Sequence, residues 1–332
     1  RTDVLPIAGD FNVYGGMHRP CRLIVTEKDC ISPLFFASPG VLVRQDKVDA
    51  QQAELTIETH LSRKSGTKGL RLKTIIADAM GKIVAETETD ADNDIVKQNV
   101  IVQKPTLWNG RENPYLYTVT TTLLNGEKKI DSQTVQTGLR YFHVDAEQGF
   151  FLNGKHYYLH GVNRHEDVDG KGSAVNTEDH ERDINLICEM GATMIRLSHY
   201  PQSQYFYDLA DQRGMVLWSE IPFCGPGGYD FTGYVKNVEE NARQVALEMI
   251  YQNMNHPSVC FWGIFNEILV DDGRFKAYDN PVKFVNELNK LFKKTDPSRL
   301  TAFATCVDHT HYQGCSDLIA WNKYFRKPGN EA

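Results

Sequence analysis

The chain has 332 residues, 41% hydrophobic and 24% charged, with 36 Lys and Arg against 43 Asp and Glu for a formal net charge of −7. That balance excludes a disordered polymer, and the acidic excess argues against nucleic acid or an anionic membrane surface as a general partner. No run of 18 apolar residues is present, so no membrane-spanning helix is expected, and the length suits roughly two or three domains.

The chain opens Arg-Thr-Asp-Val without a charged-then-apolar leader, so no signal peptide is expected. The seven cysteines are odd in number and never at C-x-x-C spacing, which removes a zinc ribbon and a thioredoxin motif. Up to about Val144 the pattern is that of strands. Ala53, Leu55, Ile57, Thr59 and Leu61 alternate with polar residues, the two-residue period of a half-buried strand. Tyr115, Tyr117, Val119, Thr121 and Leu123 repeat it, and Asn125-Gly126 follows as a type I′ hairpin signal. Roughly 100 residues of short strands at this spacing fit an immunoglobulin-like sandwich. The first ~40 residues also read as strands, too few to close a sheet alone, and are taken as the tail of another β domain.

From about Phe150 apolar strands alternate with amphipathic helices. The expected strands are Tyr157–His160, Thr193–Leu197, Met215–Trp218, Val259–Phe265, Leu300–Thr305 and Leu318–Trp321. A helix is expected after Thr177 as N-cap, stopping at Gly191; another over Gln204–Arg213, stopping at Gly214; and longer ones near Val238–Gln252 and Val282–Lys294. Repeated strand–helix units imply a parallel sheet. With no Gly-x-Gly-x-x-Gly after the first strand, a dinucleotide-binding sheet loses ground to a barrel. A barrel needs roughly 31 residues per unit, and the segment from Phe150 holds about six units. The fold expected is therefore multidomain β plus α/β: a sandwich followed by a (β/α)8 TIM barrel truncated after about six strands.

In such barrels the working residues lie at the C-terminal strand ends. Read in order, the ends give 161–166 GVNRHE, 196–201 RLSHYP, 218–222 WSEIP, 262–267 WGIFNE and 321–324 WNKY. Five polar, aromatic ends on one rim suit a sugar: aromatic faces stack on a pyranose, while Asn, His and Arg bond its hydroxyls. Glycoside hydrolysis needs two carboxyl groups. Glu267 is the candidate acid, because burial behind an apolar strand favours the protonated form of a carboxyl group. Asn266 beside it suits a sugar hydroxyl.

These residues resemble glycoside hydrolase family 2, the β-galactosidase, β-glucuronidase and β-mannosidase group. The likeness lies in GVNRHE (161–166), MIRLSHYP (194–201), WSEIP (218–222), NHPSVCFWGIFNE (255–267) and WNKY (321–324). Upstream, DFNVYGGMHRPCRL (10–23) looks like the end of the family's sugar-binding jelly roll, and LWNGRENPYLY (107–117) like its immunoglobulin-like domain. The resemblance implies three parts: 1–40, the end of the jelly roll; 41–145, the sandwich; and 146–332, a partial catalytic barrel. It implies that Glu267 is the general acid/base and that Asn266 contacts the 2-hydroxyl. His165 and His199 line the glycone subsite, and Tyr324 sits near the nucleophile. Trp321, Asn322, Glu220 and Arg196 complete the expected substrate-binding set.

The FWGIFNE stretch looks most like β-galactosidases, with β-glucuronidase or β-mannosidase as alternatives. A non-catalytic carbohydrate-binding role and a metal hydrolase using His165, His199 and Glu220 are the other readings. No cofactor is expected, and no metal, since Cys224 and Pro226 stand where some relatives place Mg²⁺ ligands. The expected partner is a carbohydrate substrate; a homo-oligomer is compatible with it. The resemblance alone suggests a bacterial periplasmic or secreted setting, with the cytoplasm left open. The family's nucleophile is a Glu on the seventh strand, expected beyond Ala332; Glu331 is no substitute, and the 332-residue chain alone is expected to be inactive.

Blander roles stand beside these. Glu267 pairs with Arg196 at the core edge in one of them, and Glu220 orients neighbours rather than sugar. His256 belongs to a helix–strand turn. His156 and His160 lie on a strand, where i,i+4 spacing makes no zinc pair. The 167–170 DVDG stretch is a solvated turn, because Lys171 stands where a calcium loop wants an acid. Trp321 suits a sugar platform or the barrel core equally.

Overall fold

The computed structural model describes residues 16–224, 235–268, 281–306 and 310–323. Tyr324, Pro226 and Glu331 lie outside them, as do residues 10–15 of the stretch likened to a jelly roll.

The N-terminal strands are β1 (Asp29–Ile31), β2 (Val41–Val48), β3 (Gln52–Arg63), β4 (Leu70–Ala77), β5 (Ile83–Asp90), β6 (Ile95–Gln103), β7 (Tyr117–Asn125) and β8 (Lys128–Thr137). They form two antiparallel sheets. One centres on β3, paired with β1, β2 and β6; the other runs β5-β4-β7-β8. Ala53, Leu55, Ile57, Thr59 and Leu61 are all buried between them. The sandwich follows from this alternation, because each strand supplies one apolar face. Residues 16–28 form no strand, and β1 joins the sandwich rather than a sheet of its own. The β7–β8 turn also departs from expectation. Its two loop residues are Gly126 and Glu127, and only the glycine takes a positive φ, 61°. That is the pattern with glycine at the first central position, one residue on from a type I′ Asn-Gly.

Three short strands, β9 (Phe142–Asp145), β10 (Gly149–Leu152) and β11 (Lys155–His156), make an antiparallel sheet under the barrel. Phe142, Phe150 and Phe261 pack there with ring centroids 5.5–6.3 Å apart. The parallel sheet then runs in sequence: β12 (Gly161–Arg164), β13 (Met194–Leu197), β14 (Val216–Glu220), β15 (Val259–Asn266), β16 (Leu300–Thr305) and β17 (Leu318–Trp321). Its helices are α1 (Thr177–Glu189), α2 (Gln204–Arg213), α3 (Val235–Asn253) and α4 (Pro281–Thr295). This is a sandwich followed by a six-strand parallel half-barrel, as in a truncated TIM barrel.

Among the boundaries that differ from the sequence reading, two have a clear physical cause. The first barrel strand is Gly161–Arg164, not Tyr157–His160. Tyr157 N–H still bonds Phe150 O, continuing the floor sheet, and the ladder with β13 begins only at Gly161. The α1 cap is Asn176, not Thr177. Asn176 Oδ1 accepts from Asp179 N–H at 3.0 Å, and the Asp179 carboxylate accepts in turn from Asn176 N–H at 3.1 Å, a capping box. Lys171 Nζ pairs with the same Asp179 at 2.7 Å, and Val168 and Gly172 close the 167–170 stretch as a turn. Helix α2 ends at Gly214, φ 69°, where expected.

The sandwich is fastened beneath the barrel by buried polar groups. Asn255 Oδ1 accepts from Val43 N–H and its amide donates to Val41 O, both at 2.8 Å. Arg140 donates to Pro257 O at 2.9 Å and Val259 O at 2.7 Å. His256 pairs with Asp211 at 2.6 Å, the structural role expected of it. On the flank His60 stacks on Phe35, which meets Tyr251 of α3. Glu58 accepts from His60 at 2.9 Å and faces Arg44 at 3.5 Å.

The His60 hydrogen bond, opposed by burial and helped by Arg44 and Lys97, holds the Glu58 carboxyl down at about 2. A depressed carboxyl contributes stability above its unfolded pKa, roughly 4.3, and loses it as pH falls through the folded value. Glu58→Gln should therefore flatten the loss of stability between about pH 4.5 and 2. Urea midpoints measured across that range check it; an unchanged slope would remove Glu58 from the acid response.

Candidate active site

Strand alternation decides which side chains reach the barrel interior. Val216, Trp218, Ala302, Ala304, Leu318 and Ala320 pack inward over the floor sheet, while Ile195, Leu197, Leu217, Trp262, Ile264 and Phe303 pack outward with the helices. Continuing the inner set up each strand gives Arg196, Glu220, Gly263, Asn266 and Asn322. The same period turns Arg164 outward, to Asp183 of α1 at 2.8 Å.

Arg196 is the hub of this layer. Its Nε donates to Glu220 Oε1 at 2.6 Å, one terminal nitrogen to Asn322 Oδ1 at 3.1 Å, and the other to Asn266 Oδ1 at 2.9 Å. The guanidinium lies 4.4 Å from the Trp218 ring centroid. Glu220 Oε2 takes His199 Nδ1 at 2.8 Å. Arg196 and Glu220 are 7% and 1% exposed. Glu220 thus orients Arg196 and His199, and Arg196 pairs with it rather than with Glu267. The cation at the centre of this cluster also opposes a metal held by His165, His199 and Glu220.

Glu267 is placed by an irregularity. The β15–β16 register shifts between Gly263 and Asn266, and Glu267 takes a left-handed φ of 53° while its N–H bonds Ala304 O at 2.9 Å. Bulges re-aim side chains, and left-handed non-glycine residues cluster at functional sites. The half-buried Glu267 carboxylate accepts from Asn322 Nδ2 at 2.6 Å. The same amide nitrogen reaches Asn266 Oδ1 at 3.0 Å. Cys306 also bonds Glu267; burial, then this carboxylate, pushes its thiol up. Cys224 Sγ lies 3.3 Å from Asn266 Nδ2, and burial pushes that thiol up to about 11.

Beside this pair opens a cavity of about 350 Å³, lined by Asn163, His165, Arg196, His199, Asn322 and Lys323 among others. His165 and His199 meet edge to face, centroids 5.5 Å apart. Burial, then the neighbouring His199, lowers the His165 pKa, so the ring is neutral at neutral pH. The imidazoles and carboxamides of the wall, beside the Arg196 and Lys323 cations, offer hydrogen-bonding groups that suit a polyhydroxylated ligand.

The structure thus brings together Asn266, Glu267, His165, His199, Asn322, Arg196 and Glu220. Trp321 borders the cavity, but its strand parity is that of Ile319, facing away from the inner layer; it is 48% exposed. Sequence reading missed Asn163, whose signal was its two-residue spacing from His165. It also missed Gly263. A Cβ there would collide with Glu220 Cγ and lie 2.7 Å from Trp218 Nε1. A glycine inside a strand of large residues was the available sign.

Known proteins agree with this architecture. Residues 143–328 match the model described as glycosyl hydrolases family 2, TIM barrel domain, and residues 39–140 match the glycosyl hydrolases family 2 model. A β-glucuronidase of Bacteroides fragilis is 44% identical over 330 residues, 98% of this chain and 46% of that protein. A β-galactosidase of Bacteroides ovatus is 34% identical over 316 residues, covering 89% of this chain and 37% of that protein. A solved Bacteroides uniformis β-glucuronidase superimposes with a TM-score of 0.84 at 30% identity, covering 98% of this chain and 40% of that one. The chain spans less than half the length of these relatives. With both domain models matched in order over one continuous stretch, the chain belongs to glycoside hydrolase family 2.

Proposed function

We propose that this chain supplies the acid/base half of a retaining exo-β-glycosidase, with β-glucuronides as its substrates. The observation that carries the reaction class is Glu267: a half-buried carboxyl at the end of β15, oriented by Asn322, one hydrogen bond from the cavity wall. In this reading Glu267 protonates the leaving oxygen and later deprotonates water. Asn266 holds the hydroxyl next to the reacting carbon, and His165, His199 and Asn163 bind the glycone. Arg196 and Glu220 hold these groups from beneath. The nucleophile is a second carboxylate about 5–5.5 Å from Glu267 on a seventh strand. In this reading the stretch ahead of β1 belongs to a jelly-roll domain, β1 and 41–145 form the sandwich, and 146–332 contribute to the barrel.

For the sugar, the 44% identity to a β-glucuronidase outweighs the likeness of FWGIFNE to β-galactosidases. Hydrolysis of nitrophenyl β-glucuronide and β-galactoside by the protein expressed from its full reading frame tests both levels. The glucuronide is expected to have the higher kcat/KM, and the 332-residue chain alone no Glu267-dependent turnover. A galactoside preference would reverse the sugar; binding without cleavage of either would favour a carbohydrate-binding role.

A further inference from the structure

The segment ahead of the sandwich reaches the barrel rim. Arg19 Nε donates to Glu166 Oε1 at 2.9 Å, and its terminal nitrogen lies 2.8 Å from the same oxygen. That nitrogen also donates to Pro201 O at 2.9 Å. Glu166 is 2% exposed, and its other oxygen accepts from Ser203 N–H at 2.6 Å. Its own N–H donates to Tyr200 Oη at 2.9 Å. Two loops are therefore laced together: the one after β12, where His165 precedes Glu166, and the one after β13, which holds His199, Tyr200 and Pro201. Arg19 touches both.

We infer that Arg19 is a positioning residue for the His165–His199 pair, acting through Glu166 and the Pro201 carbonyl. The inference rests on the reading of these histidines as glycone contacts. A guanidinium suits the task because its planar fork serves two acceptors at once, which an ammonium on a flexible stem does not. The ion pair is half exposed on the arginine side but closed on the carboxylate side, 42% against 3%. Its removal leaves the buried Glu166 side chain with one N–H donor, and moving the loop to reach other partners or water is one way such a group relaxes. A displacement near 1 Å is enough to cost about 10²-fold in rate.

The test compares Arg19→Gln, Arg19→Lys and Arg19→Gln with Glu166→Gln, in the protein from its full reading frame. Arg19→Gln should shift the ring NMR signals of His165 and His199 while those of His60 and His256, below the barrel, stay put. It should lower kcat/KM by about 10- to 100-fold, with kcat falling as well as KM rising. Arg19→Lys should fall between, and serves alone if Arg19→Gln does not fold. Adding Glu166→Gln removes the buried charge, so the melting temperature should recover while kcat/KM does not. The inference is overturned if Arg19→Gln lowers only the melting temperature, or if Glu166→Gln restores kcat/KM together with stability. If the wild-type protein cleaves neither glycoside, the proposed function fails, and the histidine signals still decide whether Arg19 holds the two loops.

Discussion

Glu267→Gln is expected to lower kcat by about 10²–10⁴ on substrates with poor leaving groups, because general acid help is worth that much. The amide keeps the Asn322 contact at Oε1 but has no proton to give. Aryl glycosides with acidic phenols need little protonation, so their first step should lose much less. A leaving-group series measured on wild type and variant checks this as a steeper dependence in the variant. Equal losses across the series would take Glu267 out of the acid role and leave it as a binding group.

Gly263→Ala should be the most damaging conservative change near the site. The added methyl would meet Glu220 Cγ, Glu220 Cβ at 2.9 Å and Trp218 Nε1 at 2.7 Å. None of these atoms is free to swing away. Glu220 is held by Arg196 and His199, and Trp218 lies under the Arg196 guanidinium. Overpacking of this kind costs about 1–3 kcal/mol, and moving Glu220 also disturbs the groups it orients. A lower melting temperature is expected, with activity down about 10²-fold. Wild-type activity in the alanine variant would mean that the Arg196–Glu220 layer tolerates displacement and does not set the geometry of the site.

The sequence by itself determined the architecture and most of the rim. Period-two alternation marked β3 and β7 as sandwich strands, because a strand buried on one face must show its apolar residues at every second position. The switch to strand–helix units announced the parallel sheet, and polar strand ends named Asn266, Glu267, His165 and His199. Helix α2 was legible to its last residue because Gly214 supplies the left-handed stop. Local signals failed where two local choices are nearly equal in energy. Thr177 and Asn176 are both good caps, and only the reciprocal bond with Asp179 decided between them. Tyr157–His160 has the composition of a strand, yet strands exist by pairing, and Tyr157 pairs with the floor sheet.

Only the tertiary structure decided the partners. Glu220 and Glu267 are both carboxylates at strand ends, and nothing local says that one is locked to Arg196 and His199 while the other meets Asn322. That difference arises because β13, β14, β15 and β17 converge on one axis, and the β15 bulge turns Glu267 out of the inner layer. Arg19 and Glu166 are 147 residues apart, so their pairing is invisible to any periodicity. Sequence patterns record which face of an element is buried; the charge network at a site depends on which buried faces meet, and that is fixed only when the strands assemble side by side in the curved sheet.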